Sequence, residues 1–339
     1  MLEPILNNRL IFVTGKGGVG KSTVTAGLGQ ALARSGRTTL VLETDTFSAM
    51  EDLFNFRSTG LEPVEISDHL WASNLTADEC FVATLQRFLP SERVARAVIK
   101  NRIARVFFKA APSVNEVTLL DQVRVFFEET KQDGSPLYDH ILVDLPASGH
   151  AVTFLNVPAT MNSMMRGIGP IAKMSAQVAE LIRDPKITSI VAVCLPEEMP
   201  VKETIELSDQ VDDALHRPLT MAIANMVHQN PLDESNRSIF EALHEQVRHD
   251  HPGLDTLFFD DADQRPESTA IARLIEGNAL ALGWFDRDRE YLKLLHQELS
   301  APIVEVPIIY ESSGTDVVDK LSRLLLGADH QPQASAPRR

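Results

Sequence analysis

The glycine-rich run Gly15-Lys16-Gly17-Gly18-Val19-Gly20-Lys21-Ser22-Thr23 constrains this chain more than any other feature. It satisfies GxxxxGK[ST]. It follows an apolar run, residues 9–14, that reads as a buried strand, and it opens residues 21–35, whose apolar positions recur at helical spacing up to a stop at Gly36. Strand, glycine loop and helix in that order make a phosphate cradle. Backbone N–H groups wrap the anion, and the helix N-terminus adds partial positive charge. In such a cradle Lys21 reaches the β- and γ-phosphates of ATP, Ser22 gives an oxygen to Mg²⁺, and Thr23 supports the α-phosphate. A tight turn without a ligand is the alternative, and the coincidence of strand, spacing, Lys and Ser opposes it. Lys16 is surplus to a single-chain cradle. It suits a charge offered across a two-fold interface, as an arginine finger is offered in trans.

The strand-then-helix alternation continues. Apolar runs at residues 38–42, 140–144, 189–193, 219–223 and 303–306 read as strands separated by helical stretches. That order gives an α/β fold: a mostly parallel P-loop sheet flanked by helices. Residues 77–131 and 159–183 exceed a minimal βαβ pattern and read as an added helical subdomain, the second kinked near Gly169-Pro170. The expected organisation is a single ATPase domain over residues 1–327, with helical insertions at about 77–131 and 159–183. A polar, disordered tail is expected over 328–339.

Several further segments carry a resemblance. GKGGVGKST is similar to the deviant P-loop of the ParA/MinD/ArsA class of ATPases, in which the first lysine reaches the partner subunit's nucleotide. Thr44-Asp45 with Asp52-Leu53-Phe54 resembles switch I of the ArsA branch, and residues 144–150 (DLPASGH), with Phe154-Leu155 and Pro158, resemble its switch II. That branch holds the arsenite-pump ATPase and the targeting ATPase for tail-anchored membrane proteins. Pro112 to Glu116, Pro196-Glu197 with Glu203-Thr204, Asn225 to Pro231, and Val306-Pro307-Ile308 match further family segments in order. The resemblance implies an ATP- and Mg²⁺-dependent ATPase, with Asn225 and Pro307 on the adenine side.

Two carboxylates fit that chemistry. Asp144 ends an apolar strand, where it would reach Mg²⁺ through water or, alternatively, cap the next helix. Asp45 also follows a strand and would polarise the attacking water, cap a helix over 46–54, or do both. Switch I departs from the family, reading Thr46-Phe47-Ser48-Ala49 in place of Pro-Ala-His-Asn, so hydrolysis is expected to be slower or differently gated. His150 would report nucleotide state to the helical segments or serve as a structural histidine.

Composition narrows the output. Cys80 and Cys194 are the only cysteines, too few for a thiolate metalloid site in one chain. A net charge of −15 opposes a nucleic-acid-coating surface, so no nucleic-acid partner is expected. No leader and no spanning segment are legible, and a cytoplasmic location is expected. Residues 91–109 make a basic amphipathic stretch, either a solvated face or a peripheral contact with anionic lipid or an acidic partner. Met161, Met164, Met165, Ile168, Ile171, Ala172, Met174 and Val178 line residues 161–178, either as core or as an adaptable groove. The reading is a homodimer, or a dimer with a close paralogue, that couples ATP turnover to capture and release of a hydrophobic client segment for membrane delivery. The alternative is a regulatory ATPase that positions a soluble or membrane-associated partner; a metalloid or anion pump subunit ranks below both.

Overall fold

A computed structural model describes residues 1–44, 48–57, 60–88, 113–146, 151–248 and 268–327. Its centre is an eight-stranded sheet in the order β3-β4-β2-β5-β1-β6-β7-β8, parallel throughout except for β3. The strands are β1 (Leu10–Gly15), β2 (Thr39–Glu43), β3 (Val64–Ser67), β4 (Leu70–Asn74), β5 (His140–Asp144), β6 (Thr188–Cys194), β7 (Met221–Val227) and β8 (Ile303–Pro307). Strands β1, β2, β5 and β6 are buried along their whole length, as their unbroken apolar runs require of a sheet covered on both faces.

One face carries α1 (Lys21–Arg34), α2 (Ala49–Phe54) and a C-terminal helix, α10 (Gly314–Leu326). Their core joins Val24, Leu28, Leu32, Met50 and Leu321 to Ile11, Val13, Val41 and Leu142 of the sheet. The opposite face carries α3 (Ala77–Phe88), α4 (Val114–Glu128), α5 (Ala151–Met164), α6 (Pro170–Arg183) and α7 (Glu198–Leu215), packed on Phe12, Leu40, Leu42, Ile141 and Val143. Because side chains alternate along a strand, Val41 and Leu142 put their faces' next members, Glu43 and Asp144, on the α1 side. The short α8 (Arg237–Arg248) and the long α9 (Ser268–Glu298) complete the described helices, and α9 packs Leu292 and Leu295 onto β7.

Three expectations need adjustment. The strand at 219–223 begins two residues later, at Met221, because Thr220 spends its N–H on Ile190 O (2.9 Å) and accepts Ile190 N–H at its hydroxyl (3.0 Å), closing the entry before the ladder starts. Strands β3 and β4 have no counterpart in the sequence reading. The stretch 159–183 is two helices, α5 and α6, separated by Arg166, Gly167 and Gly169, all with positive φ. The methionine stripe divides accordingly. Ala172, Met174 and Val178 are core, whereas Met164 and Ile168 are 76% and 74% exposed. Met161, Met174, Val117 and Val157 form a small apolar cluster of their own where α4, α5 and α6 extend past the sheet.

Candidate nucleotide site

The phosphate loop runs from the end of β1 into α1 at the C-terminal edge of the sheet. Gly15 passes so close to β6 that a Cβ there would lie 2.4 Å from Val193 O, and Gly20 is left-handed (φ 81°) with Asn225 Nδ2 2.4 Å from where its Cβ would be. Only glycine fits at either place. Gly17 and Gly18 are exposed at the tip, Val19 is buried beneath it, and Lys21, Ser22 and Thr23 form the half-buried first turn of α1.

Asp144 lies below that turn and collects three donors: Lys21 Nζ at 2.6 Å, Ser22 Oγ at 2.6 Å and Thr25 Oγ1 at 3.1 Å. The carboxylate is almost fully buried, and Lys21 only slightly less so. A buried charge is tolerable only when paired and hydrogen-bonded, and Asp144 is both. Both its oxygens accept from α1. Thr25, unremarked in the sequence, acts at the same carboxylate.

Glu43 ends β2 directly beside Asp144, its Cα partner in the β2–β5 ladder. It is 2% exposed; Oε1 accepts Ala49 N–H at 2.7 Å, whereas Oε2 is buried with no hydrogen-bond partner among the described residues. Burial pushes its pKa up, opposed by hydrogen bonds from the start of α2. Ser48 caps α2, accepting Glu51 N–H at 3.2 Å. The Thr44 hydroxyl donates to Asp144 O at 2.8 Å and ties the two strand ends together.

Lys16 is half-exposed, and its Nζ is paired with the Glu203 carboxylate on α7 of the same chain. Asn225, buried at the end of β7, donates its side-chain N–H to Val19 O at 2.9 Å and so braces the loop. Pro307 ends β8 and lines a cavity of about 390 Å³ with Val227, His228, Phe285 and Arg289. His228 there is held by the buried Asp288, which accepts both its N–H and its Nδ1 at 2.8 Å. The sequence reading missed this pair because Asp288 sits inside a long helix with nothing local to mark it. Asp45, Ala147 to His150, the 91–109 stretch and the 328–339 tail lie outside the described residues.

Oxygen ligands in a charged cradle suit a hard divalent cation. The buried carboxylate of Asp144, the Ser22 hydroxyl and the orphaned Glu43 oxygen fit a Mg²⁺-nucleotide. Both cysteines are buried, and desolvation pushes each thiol up to about 12, so neither is an activated thiolate in this state.

Comparison with known proteins adds a lineage. Residues 8–180, just over half of the chain, match the family described as anion-transporting ATPase. The ATPase BagA of Mycobacterium tuberculosis is 29% identical over 250 residues, covering 71% of this chain and 72% of its own. A putative arsenical pump-driving ATPase of Aquifex aeolicus is 24% identical across 94% of this chain and 79% of its own. A Paramecium tetraurelia protein named ATPase ASNA1 homolog 2 is 25% identical over 62% and 75% of the two chains.

Proposed function

Because the chain belongs to the ArsA family of anion-transporting ATPases, and is an ATPase, we propose that it is a single-domain, dimeric switch whose ATP cycle captures and releases a hydrophobic segment of a client protein. The observation that carries the nucleotide half is the Lys21–Asp144–Ser22 cluster. With ATP bound, Lys21 would exchange its carboxylate partner for the β- and γ-phosphates, and Ser22 would offer its oxygen to Mg²⁺. Asp144, relieved of both, would help to hold the metal from the strand end. Bound Mg²⁺ neutralises charge on the phosphates. Asp45 orients the attacking water, Asn225 and Pro307 border the adenine, and Lys16 leaves Glu203 to meet the partner's nucleotide.

The client half rests on the exposed Met164, Ile168 and Ile171, the last of which lines a largely apolar cavity of about 60 Å³ with Phe81, Leu85, Phe88, Val117 and Met174. A regulatory ATPase with a soluble or peripheral partner is the second reading, supported by the core placement of Met174 and Val178. The metalloid-pump reading has the least support, since the chain has two cysteines and both are buried and unpaired. Among the described residues no helix is long and apolar enough to cross a membrane.

An Asp45→Asn protein, which should hold ATP without turning it over, separates the first two readings. Purified from its native cells, it should retain proteins bearing a single terminal membrane helix, and a nucleotide-free Lys21→Ala control should not. ATP-dependent recovery of one soluble or peripheral partner instead would transfer the protein to the regulatory class.

A further inference from the structure

Among the described residues beside the phosphate cradle, Glu43 is a buried carboxylate whose chemistry the proposed cycle leaves unused. It is the last residue of β2, paired in register with Asp144 at the end of β5, so the two carboxylates leave neighbouring strands side by side on the face that carries α1. The neighbouring strand ends are further bound by the Thr44 hydroxyl, which donates to Asp144 O at 2.8 Å. Asp144 is satisfied by Lys21, Ser22 and Thr25. Glu43 is not. One oxygen accepts Ala49 N–H in the first turn of α2 at 2.7 Å, and the other is buried without a hydrogen-bond partner among the described residues.

A carboxylate kept only to receive the start of a helix would need one oxygen, and a neutral Gln or Ser would serve as well without the cost of burying a charge. Position matters more than economy here. The site beside Asp144 is where the Mg²⁺ of a loaded nucleotide brings positive charge and ordered water, and water on a hard cation is a strong donor that seeks a carboxylate. We propose that Glu43 is a further acidic residue of the metal–nucleotide site. Its Oε2 accepts from water held by the bound Mg²⁺, while Oε1 keeps hold of α2, so loading the metal tightens the helix that follows switch I. The inference rests on the reading in which Ser22 and Asp144 receive Mg²⁺, and it adds a residue and a route to α2.

The test is the Mg²⁺ dependence of nucleotide affinity, measured with a fluorescent ADP in magnesium and again in EDTA, for the wild type, Glu43→Gln and Asp144→Asn. Glu43→Gln keeps an oxygen for Ala49 and removes the charge. It should leave affinity in EDTA within about twofold of wild type while cutting the gain from Mg²⁺ by about 10- to 100-fold, the size of losing one outer partner of a metal site. Unchanged affinity in EDTA also reports an intact cradle. Glu43→Asp, which retains charge on a shorter arm, should recover part of the gain. A wild-type Mg²⁺ gain in Glu43→Gln, with the gain lost in Asp144→Asn, would leave Glu43 as a structural anchor for α2 and overturn the proposal. A full gain in Asp144→Asn as well would remove the metal site itself, and the proposal with it. Should Glu43→Gln fail to fold, binding of Mn²⁺ to the nucleotide complex of Glu43→Asp, followed by electron paramagnetic resonance, decides: an unchanged Mn²⁺ affinity and spectrum overturns the assignment.

Discussion

At the scale of single residues, the site is made of groups whose meaning depends on a distant partner. The motif around Lys21 and Ser22 is legible because its chemistry is local: spacing alone says which atoms meet a phosphate. Glu43 is not legible, since in sequence it is only the end of an apolar strand. Its significance comes from the register that sets it against Asp144, about 100 positions on. The same holds for Lys16 and Glu203 on α7, which meet across 187 positions. His140 offers a test of burial at this scale. Its Nδ1 donates to Asn8 O at 2.9 Å, Nε2 is buried without a partner among the described residues, and burial lowers its pKa below the ordinary histidine value. The unfolded chain therefore binds a proton that the folded chain refuses, and stability is lost as pH falls below about 6.5, by at most about 1.4 kcal/mol per pH unit. Thermal midpoints at pH 7.5 and 5.5 should diverge more in the wild type than in His140→Asn; equal slopes would refute the assignment.

Among elements, the helices of the α1 face are set by close approach. Gly27 and Gly29 lie mid-helix in α1, where glycine is ordinarily a defect costing about 1 kcal/mol relative to alanine. Here a Cβ at Gly27 would meet Leu321 Cδ2 of α10 at 2.5 Å, and one at Gly29 would meet Val41 Cγ2 at 2.5 Å. Gly27→Ala should thus destabilise by about 1–3 kcal/mol instead of gaining helix propensity, and adding Leu321→Ala should recover part of the loss. Chemical denaturation of the single and double variants reads this directly. Elements that escaped the sequence are of the opposite kind. Strand β4 is Leu70-Trp71-Ala72-Ser73-Asn74, poor in β-branched residues and closing on two buried polar side chains. Its strand state is imposed by β2 and β3 on either side. The methionine stripe was readable as helix but not as core or surface, because the break at Gly167 and Gly169 rotates its two halves into different surroundings.

For the whole molecule, the proposed cycle turns on whether Lys16 acts on its own chain or on another. Held by Glu203, its charge is spent within one subunit. Lys16→Ala should leave ATP affinity within a few-fold of wild type yet reduce turnover by about 10³-fold or more, the scale of a charge supplied in trans. Lys21→Ala should impair both. Mixing Lys16→Ala with an Asp45→Asn protein should restore one competent site per mixed dimer, and an ATPase titration against mixing ratio would reveal it. No restoration at any ratio would return Lys16 to its own subunit.

The contact between α1 and α10 also has a consequence in time. The helix that follows the phosphate loop is covered by Leu321 and by Arg34's links to Asp319 and Ser322, residues made about 290 positions after it. At roughly 5–20 residues per second, a ribosome delivers that cover on the order of 15–60 s after α1 has emerged. During this interval the apolar flank of α1 has no permanent neighbour, and a nascent chain is a substrate for chaperones before it is a machine for ATP. The finished surroundings of α1 therefore arrive late in translation, however early the motif that opens it is encoded.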